Sequence, residues 1–291
     1  MNIENTRKML GEVTIVGSAG RMGQWFTRLL RSAGLTVFEV DKDTALQERS
    51  DFIARSGMVL VSVPIAVTCL VIKEILPLLP TNALLVDITS LKEKPLAAMM
   101  LHTGEVLGLH PMCAPNDQGL LNQPIVTCIG RDGERGRALC HLFESWGARL
   151  VTLDPAKHDQ LMAVVQGLNH FNSIAFAHAL GSIGISAEES MAVASPVYKL
   201  RMQLMGRILA QDPSLYVDIE IENPYVPAVL DHFQASLSIF RDAIERRSVE
   251  DCLEFFNQAA QHFGPYRHVA LKESDKVLSG LFAAADPSVI S

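Results

Sequence analysis

The sequence predicts an α/β fold in two parts. The first is a Rossmann-type, doubly wound, mostly parallel sheet, and the second is an all-helical C-terminal domain suited to dimerisation. Three observations lead there. Short β-branched runs alternate with helical patterns up to residue 153. The first run, Val13-Thr14-Ile15-Val16, enters a glycine-spaced turn. From Asp154 onward β-runs give way to apolar residues at helical spacing.

Length and composition bound the class. At 291 residues the chain is long for one core and comfortable for two domains. With 48% hydrophobic residues and a net charge of -7 it is neither disordered nor built around a polybasic nucleic-acid surface, so an anionic ligand would need local cations. Cysteines at 69, 113, 128, 140 and 252 lack paired or C-x-x-C spacing, which implies reduced thiols and no zinc site. No apolar signal region opens the chain. The uncharged run Met58 to Ile72 is shorter than the roughly 20 residues that span a bilayer, and Pro64 interrupts it. A cytoplasmic protein without membrane or nucleic-acid partners is expected.

Residues 1–11 are expected to form a disordered leader, 12–154 a dinucleotide-binding domain and 155–291 a helical substrate and dimerisation domain. Strands are expected at Val13–Val16, Thr36–Val40, Val59–Val63, Ala83–Val86, Val106–Leu109, Ile125–Ile129 and Arg149–Leu153, with helices near 21–33, 66–76, 90–101 and 133–146. Gly17, Gly20 and Gly23 make G-x-x-G-x-x-G, one residue longer than the usual dinucleotide fingerprint, with Ser18 where an aligned glycine would fall. Gly17, Ser18, Ala19, Gly20, Arg21 and Met22 are the candidate pyrophosphate cradle, because free N–H groups and the dipole of a helix start attract an anion. A tight βα turn without a ligand is the alternative.

Ligands of such sheets bind past the carboxyl ends of the strands, so those ends are the places to look. Asp41 ends the second strand 18 residues after Gly23, where a carboxylate accepts from the adenosine ribose and repels a 2'-phosphate; it favours NAD, while Lys42 leaves room for NADP. Ser62, Val63 and Pro64 end the third strand toward the same groove, although Pro64 also serves as a plain strand terminator. After the fourth strand come Thr89, Ser90 and Lys92, which could hold a substrate; a helix cap is favoured for Ser90. The fifth strand ends at His110-Pro111, where the proline keeps His110 extended at the sheet's mouth. A histidine there can accept a proton from a substrate hydroxyl, against the alternative of a structural histidine.

Beyond Leu153, helical patterns cover 158–182, 187–194, 197–210, 226–246, 249–262 and 268–283. The segment from His158 to Phe171 is apolar on most faces and should be central and shared between two subunits, which implies a dimer. His158, Gln166 and His170 are read as buried hydrogen-bonded residues in preference to cleft residues. Arg207 lies with Gln203 and Gln211 beside an apolar face of Leu200, Leu204 and Ile208. It could grip a carboxylate with Gly206 allowing close approach, but a surface pair with an acid such as Asp212 leads slightly.

Together these motifs resemble the prephenate dehydrogenase family, in particular its T-protein branch, where the dehydrogenase is joined to chorismate mutase. The resemblance runs from about Val13 to about residue 270. It rests on Val16–Gly23, Val61–Ile65, Leu107–Met112, Trp146–Leu150, His158–Gln160, Ser195–Tyr198 and Gly206–Pro213, in that order. It implies NAD-dependent oxidative decarboxylation of a small anionic cyclohexadienyl pyruvate by a homodimer. His110 then matches the catalytic histidine, Ser90 a serine beside it, Arg207 a carboxylate-binding arginine and His102 a position linked to cofactor binding. Three features depart from the branch. No mutase domain is expected ahead of the sheet, eleven residues being too few to form one. Lys199 stands where a second arginine is usual. The histidine motif continues Pro111-Met112-Cys113-Ala114-Pro115-Asn116 instead of Pro-Met-Phe-Gly-Pro-Asp. The last departure leaves open whether the ring carries a 4-hydroxyl or, as in stand-alone dehydrogenases of antibiotic biosynthesis, a 4-amino group. An NAD-binding sensor without chemistry is a separate alternative.

Overall fold

The computed structural model describes residues 3–283. Its contacts divide the chain into two compact units, residues up to 167 together with 214–226, and residues 168–213 together with those from 227 onward. The first unit is built on a seven-stranded sheet of β1 (Val13–Val16), β2 (Val37–Val40), β3 (Met58–Val61), β4 (Leu84–Asp87), β5 (Glu105–Pro111), β6 (Pro124–Arg131) and β7 (Arg149–Thr152). Their spatial order is β2-β1-β3-β4-β5-β6-β7. Every neighbouring pair is parallel except β5 and β6. The seven expected runs are therefore all strands. β3 stops two residues before its apolar run does, releasing Ser62 and Val63 from the sheet.

Burial on both faces explains why these strands read as continuous apolar runs instead of alternating ones. Val13, Ile15, Met58, Leu60, Leu84 and Val86 enter one core cluster, while Val16, Val59, Val61 and Leu85 enter the other. The first cluster is closed by α2 (Arg21–Ser32) and α6 (Glu134–Ser145) through Phe26 and Phe143, whose ring centroids lie 5.9 Å apart. The second is closed by α4 (Ile65–Ile75), α5 (Glu93–Met99) and α3 (Leu46–Arg55), which the sequence reading omitted. α3 is short and mostly polar, and it is held by Ile53 and by Phe52 stacked on Phe38 at 4.6 Å.

The first unit also departs from expectation at its ends. The expected leader is a helix, α1 (Ile3–Leu10), because Thr6 and Leu10 bury one face while Arg7 donates to the Ala33 carbonyl and Arg135 to that of Met9. The domain boundary expected at 154/155 differs from the division into compact units at 167/168. α7 (Pro155–Met162), capped by Asp154, stays with the sheet because His158, Asp159 and Met162 are buried there. α11 (Pro213–Glu222), also unanticipated, returns to the same unit. Asn223 just after it is buried and donates to the Asp159 carbonyl at 2.9 Å.

The expected long helix from 158 is broken by a π-helical segment, Ala163–Leu168, before α8 (Asn169–Ile183) begins. The second unit contains α8, α9 (Ala187–Ala192), α10 (Pro196–Leu209), α12 (Val226–Glu245), α13 (Val249–Phe263) and α14 (Tyr266–Ala283). Its helices start as the sequence chemistry dictates: Ser186 with Glu189 forms a capping box, Ser195 caps α10 ahead of Pro196, and Ser248 caps α13. Its packing was not foreseen. On α10 the inward residue is Met205, whereas Leu204, on the expected apolar face, is 56% exposed. Among the described residues of this unit only Met205 and Ala243 are buried. No helix among the described residues is long and apolar enough to cross a membrane.

Candidate active site

Two places at the carboxyl ends of the strands collect the chemistry. The first lies where β2 and β3 diverge on either side of β1, the switch point of the sheet. Gly17 leaves β1 with φ +87°, and a Cβ there would stand 2.2 Å from the Ser62 carbonyl oxygen. Gly23, inside α2, would bring a Cβ to 2.2 Å from the Gly17 carbonyl oxygen, so only glycine allows this approach of helix to turn. Gly20 is the N-cap of α2 and offers no side-chain cap, and Gln24 is the first residue whose N–H returns to a helical carbonyl. The N–H groups of Arg21 and Met22 are thus directed out of the helix start, as an anion requires.

Beside this turn lies a groove of about 450 Å³, lined among others by Gly17, Ala19, Gly20, Asp41, Lys42, Arg49, Ser62, Val63 and Pro64. Asp41 accepts from Ala19 N–H at 2.9 Å, which ties the end of β2 to the turn. Ser18 is buried with its hydroxyl toward the Val40 carbonyl at 3.3 Å, so the extra residue of the turn is absorbed against β2. Arg21 is exposed at the start of α2, whereas the Met22 side chain packs on the core instead of lining the groove. His102 does not join the groove either. It is buried with Nε2 2.9 Å from the Ala83 carbonyl, immediately before β4, at the opposite end of that strand. Seven of the eleven candidate cofactor residues line this groove, Gly17, Ala19, Gly20, Asp41, Ser62, Val63 and Pro64, while Ser18, Arg21 and Met22 belong to the adjoining turn and helix start.

The second place is centred on His110, near the end of β5 and 3% exposed. Its Nδ1 lies 2.9 Å from Nε2 of His158, whose Nδ1 lies 2.7 Å from Oδ1 of Asp159. Gln166, carried on the π-helical segment, brings its amide nitrogen within 3.4 Å of His110 Nε2. Burial first, then the neighbouring His158 and Lys92, hold His110 well below the usual histidine range. It is therefore neutral at pH 7 and able to accept a proton.

Sequence reasoning missed what supports this ring. Lys92 is completely buried, paired with the equally buried Asp87, and donates to the Leu109 carbonyl at 2.7 Å. It holds the strand end instead of contacting a ligand. Ser90 is half-buried and does not cap the following helix. That task falls to Asp159, which accepts from Lys92 N–H at 2.8 Å and Glu93 N–H at 2.9 Å across 67 and 66 positions. A local rule for caps could not find a partner so distant; the available signal was a carboxylate beside a histidine just ahead of the apolar run from Leu161. Lys199 and Arg207 lie eight positions apart on α10 in the second unit, about 12 Å along its axis, with Arg207 exposed and Lys199 half-buried. Among the described residues no group of three or more His, Cys, Asp or Glu is arranged to hold a metal ion.

Sheet order, glycine turn and a buried neutral histidine at a strand mouth define a nucleotide-binding oxidoreductase architecture. Comparisons with known proteins agree. Residues 34–150 match the nucleotide-binding domain of prephenate dehydrogenase and residues 154–258 its dimerization domain, the glycine turn lying ahead of the matched stretch. The T-protein of Enterobacter agglomerans is 36% identical over 270 residues, covering 92% of this chain and 72% of that protein. The 4-amino-4-deoxyprephenate dehydrogenase of Streptomyces pristinaespiralis is 27% identical over 267 residues, covering 85% and 90% respectively. The prephenate dehydrogenase of A. aeolicus, solved with hydroxyphenyl propionate and NAD+, superposes with a TM-score of 0.68 at 21% identity, covering 86% of this chain and 96% of that one. The chain belongs to the prephenate dehydrogenase family of oxidoreductases.

Proposed function

We propose that the protein is an NAD-dependent oxidative decarboxylase of a prephenate-type cyclohexadienyl pyruvate, acting as a homodimer. The observation that carries this reading is His110, buried and neutral at the carboxyl end of β5. It stands two strands from β3 in a sheet whose spacing is about 4.8 Å per strand. NAD+, when bound, supplies the hydride acceptor for ring C4. The residues present fit it: a cradle that a Cβ would fill at Gly17 and Gly23, and Asp41 at the ribose end of the groove. For a 4-hydroxyl substrate His110 accepts the hydroxyl proton as the carbonyl forms at C4; loss of the ring carboxylate as carbon dioxide sends its bonding pair through the ring to that oxygen, His110 returns the proton to it, and aromatisation drives the step. Gln166 sits beside the accepting nitrogen, and Arg207 supplies the guanidinium suited to a substrate carboxylate. Ser90, half-buried after β4, is assigned a place near His110.

The 4-amino analogue is the second reading, favoured by the altered histidine motif and by the similarity to a 4-amino-4-deoxyprephenate dehydrogenase. Two of the departing residues have local roles: Cys113 packs on the core, and Asn116 accepts from the Trp25 indole through its carbonyl at 3.2 Å. A neutral His110 can take a proton from a hydroxyl or an ammonium, so it does not itself choose. NADH formation with prephenate, arogenate and 4-amino-4-deoxyprephenate tests the proposal. Turnover of at least one is expected, the ratio of kcat/KM ranks the substrates, and turnover of none would refute it.

A further inference from the structure

Besides His110, the structure contains a buried chain of proton donors and acceptors behind it. We infer that His158 and Asp159 are positioning residues that fix the tautomer of His110, leaving its Nε2 bare to accept the substrate proton. The inference rests on the catalytic role of His110 proposed above.

Asp159 sets the order of protons from behind His158. Its two oxygens accept the N–H groups of Lys92 and Glu93, which begin α5, and Oδ1 also faces His158 Nδ1 at 2.7 Å. With backbone donors on both oxygens, the carboxylate has only lone pairs to offer His158, so His158 Nδ1 must carry the proton. A neutral imidazole has one donor and one acceptor nitrogen, and His158 Nε2 is then the acceptor. At 2.9 Å its hydrogen-bond partner, His110 Nδ1, must donate. The remaining nitrogen, His110 Nε2, holds a lone pair and meets the Gln166 amide at 3.4 Å, a group able to donate to it. Both imidazoles are buried, at 3% and 0% exposure, so water cannot scramble this order.

The surrounding charges are compatible with the neutral pair. Lys92 is neutralised by Asp87, and the Glu93 carboxylate accepts from the Tyr225 hydroxyl at 3.0 Å. Asp159 is itself anchored, since its carbonyl accepts from the buried Asn223. A histidine left without this support would divide between two tautomers, only one of which presents an acceptor to substrate.

Two histidine-158 variants separate positioning from packing. His158→Leu removes the acceptor behind His110 but leaves Asp159 on α5. His158→Gln restores a donor for Asp159 and an acceptor for His110 Nδ1. In the full-length protein, kcat should fall about 10²-fold or more for His158→Leu, the lower end of what proton transfer contributes, with KM for NAD+ unchanged. His158→Gln should recover most of that loss. Long-range proton–nitrogen correlation spectra of histidine-labelled wild-type protein should find His110 protonated at Nδ1 and bare at Nε2 at pH 7. A proton on His110 Nε2, a wild-type kcat in His158→Leu, or equal losses in the two variants would overturn the inference. Absence of turnover on every dienyl substrate would instead remove the functional reading, while the spectra would still report where the protons lie.

Discussion

His110 and Lys92 illustrate opposite uses of burial. His110 is kept neutral, so the ring costs little to bury and its lone pair is available. Its depressed pKa also makes stability depend on pH in a defined direction. Below 6.5 the unfolded chain gains the histidine proton before the folded one does, so the stability present above pH 6.5 is lost as pH falls toward the folded value. The expected slope is about 1.4 kcal/mol per pH unit for one proton, and a shallower fall in thermal midpoint for His110→Gln than for wild type would verify it. Lys92 is the reverse case, a buried charge tolerated only because Asp87 meets it. Lys92→Met strands that carboxylate, and denaturant titration should register a loss of about 3–5 kcal/mol. Restoring balance with Asp87→Leu should recover part of it. The carboxylate and the lysine are both visible in the sequence, five positions apart, but their mutual burial is not, because it follows from β4 and β5 lying side by side.

At the scale of elements, strands were the most legible. A parallel sheet covered on both faces demands mostly apolar runs, and Val13–Val16, Met58–Val61 and Leu84–Asp87 supply them, the first two with Gly17 and Pro64 close by to end them. α1 and α3 were not, since each is short and holds on by one or two buried side chains, Leu10 and Ile53, in a mostly polar segment. The glycine turn was legible as a turn, with the reason for each glycine coming from geometry. Gly23 is the clearest: a Cβ would press on the Gly17 carbonyl and drive α2 from β1. Gly23→Ala should weaken NAD+ binding at least about tenfold, or 1.4 kcal/mol, measured by calorimetry, while far-ultraviolet circular dichroism retains the folded spectrum.

At the scale of the whole molecule, the two units contrast in how they are stabilised. The sheet unit has two continuous apolar cores of its own. The helical unit leaves Val249, Leu253, Phe256 and Phe263 of α13 exposed at helical spacing, with Phe256 69% open. Such a unit needs further apolar surface to cover it, which a second copy of the chain supplies in the proposed dimer. Replacing Leu253 and Phe256 together by Glu should shift sedimentation from dimer to monomer and make the thermal midpoint fall. A double variant that remains dimeric would place the subunit contact on other helices.

Fold class, the seven strands, the glycine turn and the strand-end position of His110 were readable from local pattern, because hydrophobic period, glycine spacing and proline act within a few residues. Met22, His102 and Ser90 could not be judged that way. Whether a side chain faces a groove, the core or the far end of a strand depends on packing between distant segments. The same holds for Asp159, which caps a helix begun 66 positions earlier and stands behind the histidine that orders His110. Its role exists only once α7 is laid against β5 and α5, so the tertiary structure alone brings the donors and acceptors of that chain within 2.7 to 2.9 Å of one another.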